Sequence, residues 1–158
     1  MKTPAPARTS ADAVALIVAD IFQLAALLRR RGGVIAKKAG QTQPRWQVIS
    51  AASSGNITVA QLARRLGVSR QGVQRVADML VKDGLARFTK NRDNMRSPHL
   101  QLTKPGKKLL VELTENAATY NEELAEGLTE QELQSALIVL GKFRLQMDRD
   151  FILDRVGR

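Results

Sequence analysis

The sequence predicts an α+β chain that is mostly α-helical, and three features carry the prediction. Two short amphipathic segments, each opened by a capping residue and closed by a glycine, run in succession from Thr58 to Gly84. Two short extended segments, Leu85–Thr89 and Pro98–Leu102, then flank a polar tip running from Lys90 to Ser97. Long helical patterns lie on both sides of this block, over 11–38 and 104–153. Two short helices meeting at a tight turn, followed by a β-hairpin, are the layout of a winged helix-turn-helix.

Each element has its own signals. Met1 to Ser10 is rich in Pro, Ala, Ser and Thr and is expected to be a flexible tail. From Ala11 to Lys38, Val14, Ile17, Ile21, Leu24 and Leu28 recur at the spacing of one helix face, and Val18, Phe22 and Ala25 widen it. Asp12 near the start and Arg29 to Arg31 near the end suit the helix dipole, while Gly32-Gly33 is expected to weaken or kink the helix. Pro44, preceded by Thr42 or Gln43, marks a helix start. The short helix expected from Arg45 to Ser53 carries Trp46, Val48, Ile49 and Ala52, and Ser54-Gly55-Asn56 makes a turn.

Thr58-Val59-Ala60-Gln61 has the spacing of a capping box, in which the Thr58 hydroxyl accepts the Gln61 amide and the glutamine side chain reaches back. Leu62 and Leu66 face inward on the helix it opens, and Gly67 ends that helix. Ser69 caps the next helix, whose inward set is Val73, Val76, Ala77 and Leu80, and Gly84 closes it. After the hairpin, Thr103-Lys104-Pro105-Gly106 opens a helix with proline in its first turn. Its stripe is Leu109, Leu113, Ala117, Tyr120 and Leu124, and Gly127 breaks it. Thr129 and Glu132 form a second capping box, opening a last helix to about Leu153. The expected organisation is a tail (1–10), an N-terminal helix and connector (11–42), a winged core (43–103) and C-terminal helices (104–158).

Charge points to a polyanion partner. The 158 residues carry 25 Lys/Arg against 15 Asp/Glu, a net charge of +10, divided as +5 over 1–42, +7 over 43–103 and −2 over 104–158. The largest excess falls on the winged core, as expected for a domain that binds double-stranded DNA. There are no cysteines, which excludes disulfides, thiolate catalysis, cysteine redox sensing and Cys-type zinc sites. No apolar run approaches the roughly 18–20 residues of a bilayer span, and the start lacks the apolar core of a secretory signal. A cytoplasmic protein without a membrane partner is expected.

The helix after Ser69 carries the DNA-reading candidates: Ser69, Arg70, Gln71, Gly72, Gln74 and Arg75. Arginine and glutamine can pair bidentately with guanine and adenine edges in the major groove. Gly72, a poor helix former at an exposed position, would permit close approach of the backbone to DNA. In the hairpin, Arg87, Lys90, Arg92, Asn94 and Arg96 are the wing candidates, with Asn94 and Met95 at the tip. Four cations here can lie along phosphates or enter a narrow minor groove. Thr58, Gln61, Arg64 and Arg65 are candidates for DNA-backbone contact, the first two already occupied by their cap.

These residues resemble a known family. Leu62-Ala63, Leu66-Gly67-Val68-Ser69, the run from Leu80 through Gly84-Leu85-Ala86-Arg87, and Leu102-Thr103-Lys104-Pro105-Gly106 are similar to the MarR-type winged helix-turn-helix transcriptional regulators. The likeness spans about residues 43–110 by motif and nearly the whole chain by element order. It implies a homodimeric repressor that binds a pseudo-palindromic operator and is released by a small aromatic effector. The family's wing carries an Asp-x-Arg pattern, whereas this chain has Asn94-Met95-Arg96. Arg96 matches, the acid is missing, and Asp93 is the neighbouring candidate to replace it.

A partner chain is also expected from the terminal helices. Leu133, Ala136, Leu137, Leu140, Phe143, Met147 and Phe151 lie on one broad side of the last helix, and Ile138, Leu145 and Ile152 on another. A winged core of about 60 residues cannot cover both terminal helices on every side. Phe22 and Trp46 are the candidates for an aromatic effector crevice, with burial in the core the plainer expectation for both. Catalysis finds no foothold: His99 is the single histidine and has no nucleophile–base–orienter set around it. Pro105-Gly106-Lys107-Lys108 lacks the frame of a phosphate loop. No metal-ligand spacing appears, and no cofactor is expected. Two alternatives use the same segment, a sequence-nonspecific DNA-architectural protein and a winged-helix protein–protein adaptor.

Overall fold

The computed structural model describes residues 9–156, with side chains as far as Asp148. Its elements, in order, are α1 (Ser10–Lys38), α2 (Gln43–Ala51), β1 (Ile57–Thr58), α3 (Val59–Leu66), α4 (Arg70–Lys82), β2 (Ala86–Thr89), β3 (His99–Leu102), α5 (Lys104–Ala125) and α6 (Glu130–Val156). They form two compact units that divide between Ala118 and Thr119, inside α5. Of the expected tail (1–10), residues 1–8 lie outside the described residues.

The first unit is organised around the two short helices. Ile49 of α2, Leu62 of α3, Val73 and Leu80 of α4, Leu100 of β3 and Leu113 of α5 are its largest fully buried side chains. The inward set Val73, Val76, Ala77 and Leu80 is buried as its spacing predicts, and Leu66 packs against the same cluster half-buried. Ala36 from the end of α1 and Leu113 from α5 join this cluster, so the core takes residues from both sides of 43–103.

Local signals set most boundaries. Thr58 Oγ1 accepts from the Gln61 amide at 3.3 Å while Gln61 Oε1 accepts from the Thr58 amide at 2.8 Å, which closes the predicted capping box. Gly67 ends α3 with φ +64° and Gly84 follows α4 with φ +71°, left-handed conformations that glycine adopts without Cβ strain. The α2 helix begins two residues earlier than expected, because Thr42 takes the cap position with extended backbone and Pro44 sits in the first turn. The sheet has one strand more than the hairpin. The two-residue β1 pairs antiparallel with β3, matching Ile57 to Leu100 and Thr58 to His99, so the order is β1-β3-β2.

The α1 helix departs from expectation in three ways. It runs through Gly32-Gly33 as unbroken α-helix; a Cβ on Gly32 would stand 3.1 Å from Gln43 Cγ and 3.7 Å from the Trp46 ring. Glycine there lets α2 pack close against α1. Second, α1 contains a stretch long and apolar enough to cross a bilayer, with mean hydropathy 2.0, which corrects the reading that no such segment exists. Asp12 and Asp20 interrupt every apolar run between Ser10 and Leu28 yet leave the average high. Third, Phe22 is 74% exposed rather than in the core; the exposure of Val14, Leu24 and Leu28 beside it is in line with the expectation that the winged core cannot cover this helix on every side.

In the second unit, Gly127 takes φ +78° before α6. Leu137, Ile138, Leu140, Leu145 and Met147 of α6 are all exposed; the side chains of Phe151 and Ile152 lie outside those described. The predicted box at the start of α6 forms, with Glu132 Oε2 accepting from the Thr129 amide at 2.8 Å and from its hydroxyl at 2.7 Å. These two bonds, the amide first, hold the Glu132 carboxyl below its ordinary value. A lowered folded pKa means the cap stabilises α6 above the unfolded pKa and is lost as pH falls through the folded one. Glu132→Gln is therefore expected to remove this acid-side loss, which thermal melts of both proteins from neutral to acid pH would read.

Candidate nucleic-acid interface

The DNA-reading candidates fall on one helix as predicted by its inward set. Ser69, in extended backbone, accepts from the Gly72 amide through its hydroxyl at 3.1 Å and so fixes where α4 begins. A Cβ at Gly72 would lie 3.1 Å from that same oxygen, so the glycine also keeps the cap uncrowded. Arg70, Gln71 and Arg75 are exposed. Gln74 is half-buried, and its Nε2 donates to Asp78 Oδ1 one turn on at 2.8 Å, a bond it would have to exchange to reach a base.

The wing is a paired, closed hairpin. Ala86 pairs with Leu102 and Thr89 with His99. Its base is tied back to α4 and α5, since Thr103 donates its amide to Leu85 O at 3.0 Å and its hydroxyl to Gly84 O at 2.7 Å. Arg87, Lys90, Arg92, Asn94 and Arg96 are all exposed. Asp93 does not take over the missing brace. Its amide donates to Asn91 Oδ1 at 3.1 Å, and among the described residues no ion pair joins its carboxylate to Arg92 or Arg96. Asn94 instead accepts the Arg96 amide through Oδ1 at 3.1 Å, a local turn in place of an ion pair.

Helix and wing share a crevice of about 120 Å³, lined by Arg70 and Gln74 of α4, Arg96 and Pro98 of the wing, and Thr58 and Ala60 at the start of α3. Two cations from different elements thus face one concavity. Thr58 is buried, and it and Gln61 are engaged in their cap. Arg64 and Arg65 border a broad, open cleft of about 370 Å³ with the 54–57 turn; Arg65 donates to Ala51 O at 3.4 Å.

The effector candidates are not brought together within one chain. Trp46 is half-buried against Gly32. Phe22 lies ten residues before Gly32 on α1, about 15 Å away along the helix axis. The residue missed in the sequence is Asn91, buried at 7% exposure inside an otherwise exposed wing. Its signal was present, an asparagine two residues before Asp93 at the start of a polar tip, the spacing of an Asx turn.

A capped helix with exposed Arg and Gln side chains, followed by a cationic hairpin of a three-stranded sheet, defines a winged helix-turn-helix. The MarR family model matches residues 39–97. A protein of Mycobacterium tuberculosis is 50% identical over 124 residues, covering 78% of this chain and 87% of the relative. Among solved structures, a MarR family transcriptional regulator from Silicibacter pomeroyi superposes with TM-score 0.78 at 23% identity, covering 94% of this chain and 99% of that one. A MarR family regulator from Listeria monocytogenes, solved with a 26mer DNA, gives TM-score 0.77 at 20% identity, over 89% and 95% of the two chains. The chain belongs to the MarR family of transcriptional regulators.

Proposed function

We propose that this regulator acts as a homodimer on a pseudo-palindromic operator, reading bases with the exposed face of α4 and holding flanking DNA with the wing. The observation that carries the proposal is that Arg70 of the capped helix and Arg96 of the wing line one crevice, with Gln71 and Arg75 exposed on the same helix and Arg92 exposed on the wing. Dimerisation is supported by apolar surface left exposed on both α1 and α6, since surface of that kind is normally covered by a partner. A two-fold dimer sets two recognition helices about 34–36 Å apart, one DNA turn. Repression, release by a small aromatic compound and a cytoplasmic location complete the reading by family resemblance.

Selection of binding sites from random duplex DNA at about 150 mM salt, near physiological ionic strength, tests it. An enriched pseudo-palindrome with half-sites about 10 base pairs apart is the expected result. Binding without enrichment would favour the DNA-architectural alternative, and absence of binding the adaptor. Light scattering should return twice the 17.4 kDa chain mass.

A further inference from the structure

Asn91 and Thr58 are the buried polar side chains among the described residues. Thr58 caps a helix, whereas Asn91 sits in the loop between β2 and β3, between the exposed Lys90 and Arg92. Its amide works in both directions. Nδ2 donates across the loop to Ser97 O at 2.9 Å, and Oδ1 accepts from the Asp93 amide at 3.1 Å. On the far side, Ser97 donates its amide to Asn94 O at 3.0 Å, and Asn94 Oδ1 takes the Arg96 amide. Four bonds therefore close the loop from 91 to 97, and every one uses neutral groups.

We propose that Asn91 is the positioning residue of the wing: by bridging the Asp93 amide and the Ser97 carbonyl it holds Arg92 and Arg96 in place before DNA arrives. The inference rests on the DNA-binding reading above. Two physical consequences distinguish this arrangement from an acidic brace. Among the described residues neither arginine has an ion partner, which leaves both charges available for phosphate contact and counterion release. The loop is also already ordered, so binding avoids the entropy cost of ordering it. An asparagine suits the role because a carboxylate at 91 could accept from Asp93 but could not donate to Ser97 O.

The test compares the full-length wild type with Asn91→Ala and Asn91→Asp, each checked first for an unchanged melting temperature. In the free proteins, trypsin should nick after Arg92 and Arg96 roughly tenfold faster in Asn91→Ala, because loop opening then lacks two hydrogen bonds. Asn91→Asp, which keeps one of the two, should fall between. DNA affinity should drop about tenfold in Asn91→Ala, the worth of one to two hydrogen bonds. The same substitution in an Arg92→Ala/Arg96→Ala background should change affinity less than about twofold, the coupling expected of residues acting as one unit. Equal nicking of wild type and Asn91→Ala would overturn the proposal, as would an equal affinity loss in both backgrounds. A wild type that binds no DNA would instead overturn the DNA reading, leaving the nicking comparison to decide whether Asn91 orders the loop.

Discussion

Gly106→Ala is expected to destabilise the protein by about 3 kcal/mol or more, the upper end of overpacking costs. Helix propensity alone predicts the opposite sign, because alanine is favoured over glycine in a helix by about 1 kcal/mol. The tertiary contact decides. A Cβ at Gly106 would lie 1.9 Å from Leu85 O and 2.9 Å from its carbonyl carbon. That oxygen is backbone and already accepts from the Thr103 amide, so it cannot swing aside as a flexible side chain could. Either α5 lifts off the base of the wing or the junction between α4 and β2 shifts. A fall in Tm of roughly 10 °C is expected for a chain of this size, together with loss of DNA binding as the wing base loosens. Gly33→Ala is the control, since nothing lies within 4 Å of its would-be Cβ; it should be neutral or slightly stabilising. A Gly106→Ala protein that melts like wild type would show that the junction yields at little cost.

The second large effect separates base reading from backbone holding. Arg75→Ala should weaken binding to the selected site by about 1–3 kcal/mol while leaving random-sequence DNA nearly unaffected. Arg75 is exposed on α4 and has no salt-bridge partner among the described residues, so the loss would not arise from a damaged fold. Arg92→Ala should weaken both kinds of DNA and lower the slope of log affinity against log salt by about one. Titrations of each variant at several salt concentrations, on specific and random duplexes, read both quantities. Equal losses on the two DNAs for Arg75→Ala would remove Arg75 from base recognition.

Much of the site was legible because its determinants are local. A hydroxyl three residues before its partner amide identifies Thr58 and Ser69 as caps, and alternation of apolar residues fixes which face of α4 turns inward and hence which side chains remain outside. The wing's cations were legible for the same reason, as side chains of a polar tip between two extended runs. What could not be read depended on residues far apart in the chain. The strand β1 exists because Ile57 meets Leu100; two residues carry no periodicity. Gly32 looked like a helix breaker and is a contact surface for Gln43 and Trp46. Phe22, scarce and aromatic, was expected inside and is exposed. Asp93 stood beside the gap in the wing pattern, but adjacency in sequence did not place its carboxylate against Arg96, and two asparagines close the loop instead.

The sequence by itself therefore determined the class of protein, the order of its helices and hairpin, the caps that open α3, α4 and α6, and most of the side chains left exposed on α4 and the wing. Each follows from interactions within about four residues, where backbone geometry leaves few choices. Only the tertiary structure decided which glycines are obligatory and how the wing is braced. Those outcomes depend on which backbones come within a few ångströms of one another, a distance set by packing the whole core.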